Sequence, residues 1–268
     1  NLSTETWSTM GDQLETNYAL AAPDKATFID LVTEGQPPAP EYFVYDAILN
    51  RKDRELLDET EVPPAMSLDE ARAAEAAGAI LLDGRDPEDF ARAHFIGSIN
   101  VGLNGRYAEF AGSVVKSDVD IVLIVGTGAE LEAKNRLARI GFDRVIGYVD
   151  NPLRVMLYNP DQVQVASRLT AVDFESRRAD LGEIQLVDVR NEGETRLGTI
   201  ADAVNVPIGQ LPGRVDELDP DLPTVVFCAG GYRSSVAASV LRSAGFGDVS
   251  DIVGGYGAWA EIVAPAEA

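Results

Sequence analysis

The chain has 268 residues, with 22 Lys and Arg against 44 Asp and Glu, one histidine and one cysteine. That length suits about two domains, and a net charge of −22 argues against nucleic acid or anionic lipid as a partner. A single cysteine excludes an internal disulfide and suits a reducing, cytoplasmic setting; a single histidine excludes a histidine-rich zinc or iron centre built from this chain alone.

The opening "NLSTETWSTMGDQLETNYAL" lacks the basic and apolar regions of a signal peptide. No apolar run reaches the ~18–20 residues of a membrane span. "DKATFIDLVTEG" predicts a helix with Asp24 as N-cap and Gly35 as stop. "PEYFVYDAILNRK" predicts another, after the proline cluster "QPPAP", and "VPPAM" (Val62 to Met66) marks entry to the next region. Residues 1–62 thus read as a helical segment distinct from the rest of the chain.

From Ala79 the chain reads "AILLDGRDPEDFARAHFIGSINV", and from Ile184 it reads "IQLVDVRNEGETRLGTIADAVNV". Asp83 matches Asp188, Arg85 matches Arg190 and Asn100 matches Asn205, each at an offset of 105. Further on, Gly141-Phe142 matches Gly245-Phe246 at an offset of 104. Self-similarity at this period means a duplicated unit rather than a solenoid. The copies are placed at residues 63–157 and 158–268. "AILLD", "IQLVD", "IVLIV" and "TVVF" are short apolar runs of the kind that form buried parallel strands. Val236, Val240, Leu241 and Ala244 fall on one face of a helix, with Gly245 beyond its end. Strand–loop–helix alternation predicts an α/β unit in each copy. The link "VDNPLRVMLYNPDQ", with Pro152 and Pro160, shows no periodicity.

The lone cysteine, Cys228, ends the apolar run "TVVF" and begins "CAGGYRS" before a helical stretch. The first N–H groups of a helix lack internal partners and face the preceding loop, where the helix dipole favours an anion. Gly230 and Gly231 let the backbone curl so that these groups converge. Arg233 adds a cation. A thiolate is favoured and made reactive in such a place, and an anionic sulfur attached to it is held equally well. The bland alternative is a cysteine acting as a small buried hydrophobe; the glycines and arginine argue against it.

"CAGGYRS" resembles the active-site loop of rhodaneses, the thiosulfate sulfurtransferases. "HFIGSINV" from His94, "LVDVR" and "IVGGYGAW" resemble further segments of that family, so the likeness spans about residues 63 to 265. It implies two units, each a five-stranded parallel sheet flanked by helices. It also implies that Cys228 takes a sulfane sulfur from a small anionic donor, thiosulfate or a low-molecular-weight persulfide, and passes it to a thiol or other nucleophile. In that reading the N–H groups of Ala229, Gly230, Gly231, Tyr232, Arg233 and Ser234 stabilise the sulfur, Arg233 steers the donor, and Tyr232 stands at the pocket rim. Asp188 and Arg190 read as a structural ion pair beside the sheet, and Trp259 as core packing. The related cysteine phosphatases use a longer loop; four residues between Cys228 and Arg233 suit a single sulfur better than a phosphate. A non-catalytic sulfur-sensing or scaffolding module is the other alternative.

The first copy reads "IVGTGAE" at the corresponding place. An offset of 104 puts Ile124 opposite Cys228, Ala129 opposite Arg233 and Glu130 opposite Ser234, so this copy is expected to be catalytically silent, with the Glu130 carboxylate occupying the helix start. His94 reads as a loop hydrogen-bonding residue. The N-terminal sixty residues resemble the segment that joins a metallo-β-lactamase-fold domain to tandem rhodanese units in persulfide dioxygenase-like fusions. That resemblance implies a preceding metal-binding domain as partner and places iron there, with no cofactor or metal in this chain.

Overall fold

A computed structural model of the chain describes residues 7–34, 40–52, 57–178 and 182–263. The chain divides at residue 38 into two compact units. The N-terminal unit contains α1 (Met10–Thr16) and α2 (Lys25–Thr33). Thr9 and Asp12 form a capping box at the start of α1. Asp24 caps α2 as expected, its Oδ1 accepting from Thr27 N at 2.9 Å. Gly35, the expected stop, and residues 36–39 of the proline cluster lie outside the described residues.

The larger unit opens with α3 (Glu41–Leu49), the second expected helix. The first repeat then runs β1 (Ala65–Met66), α4 (Leu68–Ala76), β2 (Ile80–Asp83), α5 (Pro87–Arg92), β3 (His94–Phe95), β4 (Ile99–Asn100), α6 (Tyr107–Val114), β5 (Ile121–Ile124), α7 (Glu130–Ala138) and β6 (Val145–Val149). The link is not irregular throughout. It folds as α8 (Pro152–Tyr158), and β7 (Val163–Gln164) then pairs antiparallel with β3. Pro152 takes the first helical position, where a missing N–H costs nothing. The second repeat runs β8 (Ser167–Thr170), α9 (Ala171–Arg177), β9 (Gln185–Asp188), α10 (Glu192–Thr195), β10 (Val204–Asn205), α11 (Leu211–Arg214), β11 (Thr224–Phe227), α12 (Tyr232–Ser243), β12 (Val249–Val253) and α13 (Gly255–Val263).

Both repeats build the same sheet. The first has the order β4-β2-β5-β6-β1 and the second β10-β9-β11-β12-β8, parallel throughout. The repeated residues explain why. Asp83 and Arg85 pair in the first repeat at 2.5 Å, and Asp188 and Arg190 in the second at 2.6 Å, all four buried. Asn100 donates to the carbonyls of Asp83 and Arg85, and Asn205 does the same to Asp188 and Arg190. Each Asn thereby ties an edge strand to the turn after the neighbouring strand, satisfying backbone groups beyond the ladder. Asp188 and Arg190 are the expected structural pair.

The two repeats share one hydrophobic cluster, in which Leu82, Phe110 and Leu123 of the first join Val226, Val240 and Leu241 of the second. Helix α12 lies in the middle of it. The one-faced periodicity of Val236, Val240 and Leu241 understates its burial: every residue from Ser234 to Leu241 is buried. Its opposite face carries Ser235, Ala238 and Ser239, small enough for close approach by the first repeat. The Ser239 hydroxyl accepts the Asn100 backbone N–H at 2.9 Å. Among the described residues no helix is long and apolar enough to cross a membrane.

Candidate functional site

Strand β11 is buried along its length and delivers Cys228 to the start of α12. The thiol is 1% exposed, whereas Ala229 and Gly230 beside it face solvent. Gly231 takes φ +98°, and a Cβ there would lie 3.0 Å from the Gly254 nitrogen. Only glycine meets both demands. This conformation aims the Gly231 N–H at Cys228 Sγ, 3.1 Å away. Of the N–H groups expected to cradle the sulfur, this is the one seen at hydrogen-bonding distance. Ser234 contributes its hydroxyl: Oγ lies 3.6 Å from Sγ and donates to the Gly231 carbonyl at 3.1 Å.

A second segment holds the loop from below. Tyr256 N–H donates to the Cys228 carbonyl at 2.6 Å and Gly257 N–H to that of Ala229 at 3.1 Å. Gly255, at φ +58°, sits against the Cys228 carbonyl so closely that any Cβ would collide with it. The glycines of "IVGGYGAW" are therefore part of the cysteine loop's support. Tyr256 also lies over the Arg190 guanidinium, 4.2 Å from ring centroid to Cζ, so the Asp188–Arg190 pair reaches the site through an aromatic ring. Trp259 packs beside Tyr256 and donates to Glu175 at 2.8 Å.

Two expected placements need correction. Tyr232 does not stand at a pocket rim. Its hydroxyl donates to the Gly102 carbonyl of the first repeat at 2.7 Å and its ring packs on Phe110, so it points into the seam between repeats. Burial there raises its pKa, with Arg136 opposing. Arg233 is not a free cation. Its Nη1 and Nη2 reach the two oxygens of Glu194 at 2.6 and 2.7 Å, a bidentate pair. The Glu194 carboxyl is held below its ordinary range first by this hydrogen bonding. The Arg233 pKa is raised first by Glu194, with a smaller contribution from Cys228. Glu194 was not singled out from the sequence, although Asn191-x-x-Glu194 is a capping-box pattern and does form one at α10.

The register between repeats is also corrected. Asp83 pairs with Ile124, and Asp188 pairs with Phe227. Ile124 therefore corresponds to Phe227, and Val125 stands where Cys228 does. The offset at the loop is 103, which sets Gly128 (φ +90°) on Gly231 (φ +98°) and Glu130 on Arg233. One residue is absorbed later, in the shorter helix α7. Glu130 bends back so that its Oε1 accepts the Gly128 N–H at 2.9 Å. The donor that serves sulfur in the second repeat is thus consumed by a carboxylate in the first. His94 is fully buried, with Nδ1 2.8 Å from the Phe90 carbonyl and its ring stacked on Phe90.

The rhodanese-like domain model matches residues 67–151 and 170–262. The chain belongs to the rhodanese-like family. It is 39% identical over 101 residues to a protein named Sulfurtransferase from Allochromatium vinosum, covering 35% of this chain and 94% of that one. It is 37% identical over 78 residues to Thiosulfate sulfurtransferase GlpE of Shewanella oneidensis, covering 29% of this chain and 77% of that one. Each of these relatives spans about one rhodanese-like repeat. Among solved structures, a metallo-beta-lactamase from Staphylococcus aureus aligns at 28% identity and TM-score 0.44, over 53% of this chain and 38% of that one. Among the described residues of the two rhodanese-like repeats, no group of three His, Cys, Asp or Glu side chains could hold a metal ion.

Proposed function

We propose that the second rhodanese-like repeat is a sulfurtransferase centre that carries sulfane sulfur on Cys228. The observation behind this reading is the Gly231 N–H aimed at Sγ from the start of a twelve-residue helix, where the helix dipole also favours negative charge. In the first step the Cys228 thiolate attacks the outer sulfur of the donor. With thiosulfate, the sulfur–sulfur bond breaks, its electron pair leaves with sulfite, and Cys228 becomes a persulfide anion. With a thiol persulfide, the same attack releases the thiolate. In the second step an acceptor thiolate attacks the outer sulfur and Cys228 leaves as thiolate. The acceptor comes from outside the chain, because there is no second cysteine.

Gly231 N–H bonds the charged Sγ of the thiolate; in the persulfide the charge moves to the outer sulfur, where the start of α12 still favours it. The Ser234 hydroxyl is buried beside Sγ. The Arg233–Glu194 pair fixes the first turn of α12 against α10. The first repeat, with Val125 for the nucleophile and Glu130 on the loop donor, acts as a silent packing partner. We extend the N-terminal resemblance to the reading that a metallo-β-lactamase-fold domain exchanges sulfur with this centre.

Incubation with thiosulfate or a small persulfide, followed by intact mass, tests the reading. The expected result is a gain of one sulfur atom that cyanide or a thiol removes, and that Cys228→Ser abolishes. Turnover surviving in Cys228→Ser would sink the assignment. Sulfur uptake without release to any acceptor would favour a sensing or carrier module instead.

A further inference from the structure

The ion pair beside the cysteine loop bears on which donors the centre accepts. Arg233 is the cation that the loop offers to an incoming anion, yet both of its terminal nitrogens are committed to Glu194. Glu194 is itself held: Oε2 also accepts the Asn191 N–H at 3.2 Å in the α10 capping box. The carboxylate therefore cannot swing away from the arginine without losing a second bond. Arg190, the next cation, is locked to Asp188 beneath Tyr256. Arg196 pairs with Glu192 at 3.6 Å on the surface. The site thus meets its substrate with its cations compensated, within a chain of net charge −22.

We infer that Glu194 is a specificity-determining residue that cancels the charge of Arg233 and so turns the centre toward donors of low negative charge, such as the persulfide of an uncharged thiol, and away from dianionic thiosulfate. This inference rests on the proposed sulfurtransferase reading. Glu194 does not touch the reacting atoms; it acts through Arg233. Both donor reactions break one sulfur–sulfur bond and form another at Cys228, so the difference between them lies in approach. One unit of charge beside the approaching anion, in a partly exposed site of intermediate dielectric, alters an encounter by roughly tenfold. The first repeat gives the same element in a different form: Asp89 stands at the Glu194 position by the offset of 105, and Glu130 replaces the arginine.

The test compares the full chain with Glu194→Gln, which keeps an acceptor for Arg233 and removes the charge. Two rates are read. The first is alkylation of Cys228 by neutral iodoacetamide against anionic iodoacetate, which reports the local field without any turnover. The second is sulfur loading from thiosulfate against mercaptoethanol persulfide. In Glu194→Gln the iodoacetate-to-iodoacetamide ratio rises about tenfold, and the thiosulfate-to-persulfide ratio rises about tenfold. Wild-type loading from thiosulfate increases with ionic strength, as screening relieves repulsion, and this salt dependence weakens in the variant. Glu194→Asp keeps both wild-type ratios. Unchanged ratios in Glu194→Gln, with both rates of each pair altered alike, would mean a merely structural role and overturn the inference while leaving the sulfurtransferase reading intact. If neither donor loads wild-type Cys228, the sulfurtransferase reading falls, and the donor inference with it.

Discussion

At Gly231 three requirements meet: a positive φ, a backbone packed against Gly254, and an N–H aimed at sulfur. Gly231→Ala places a Cβ where neither the dihedral nor the space suits it. We expect a loss of roughly 1–3 kcal/mol in urea unfolding and slower loading of Cys228; an alanine variant as stable and as fast as wild type would show that the loop does not depend on this geometry. This residue was legible in the sequence because its cause is local, a strand end, two glycines and a helix start in seven residues. Cys228, Ser234 and the Asp188–Arg190 pair were legible for similar reasons. Glu194 was not. Its bond to Arg233 joins residues 39 apart, and nothing in either segment alone says that α10 lies against the first turn of α12. The register error at Ile124 has a physical origin too. The offset changes from 105 at the first strands to 103 at the loop and 104 after the helix, because α7 is shorter than α12, so the spacing at Gly141-Phe142 does not hold at the loop. The hydrogen-bonded pairing of β2 with β5 removes the error.

At the scale of elements, α12 does two jobs. Its first turn holds the sulfur centre, and its body fills the seam between the repeats. The sequence showed the strands and one apolar face of this helix, because buried parallel strands and helical periodicity are written in consecutive residues. It did not show the second contact face, because Ser235, Ala238 and Ser239 read as a solvated side until a partner surface is known. The Asn100 N–H bonded to Ser239 is one marker of that face, and Tyr232 bonded to Gly102 is another. Ser239→Ala leaves the Asn100 N–H, in an edge strand of the other repeat, without its buried acceptor. The expected cost is about 1–3 kcal/mol, read as a lower denaturation midpoint that affects both repeats in a single transition, because they share one core. Two separated transitions, with the first repeat unaltered, would contradict the joint packing of α12. Tyr232, read from the sequence as a rim residue, belongs to this same seam.

For the molecule as a whole, one histidine among 268 residues isolates a pH effect that is usually shared among several groups. His94 is fully buried, its Nδ1 faces the Phe90 carbonyl, and its Nε2 has no hydrogen-bond partner among the described residues. Burial pushes its pKa down from 6.5 to about 4; the Phe90 carbonyl opposes this, and the nearby Arg242 and Arg85 charges add to it. The folded chain therefore keeps the ring neutral where the unfolded chain protonates it. As pH falls below 6.5 the unfolded state takes up a proton that the native state refuses, and stability declines until about pH 4, where both states hold it. The shift corresponds to about 3 kcal/mol at the low end. Carboxylates titrate in part of the same window and in both directions: burial raises the pKa of Asp83, and the Arg233 bond lowers that of Glu194. A difference measurement removes them. Urea unfolding of wild type and His94→Gln from pH 7.5 to 4 should give curves that diverge below 6.5, the wild type losing about 3 kcal/mol more than the variant. Parallel curves would mean that the imidazole protonates in the native state as readily as in the unfolded one. In that case the space around Nε2 would have to admit a charge that its buried, arginine-flanked setting disfavours.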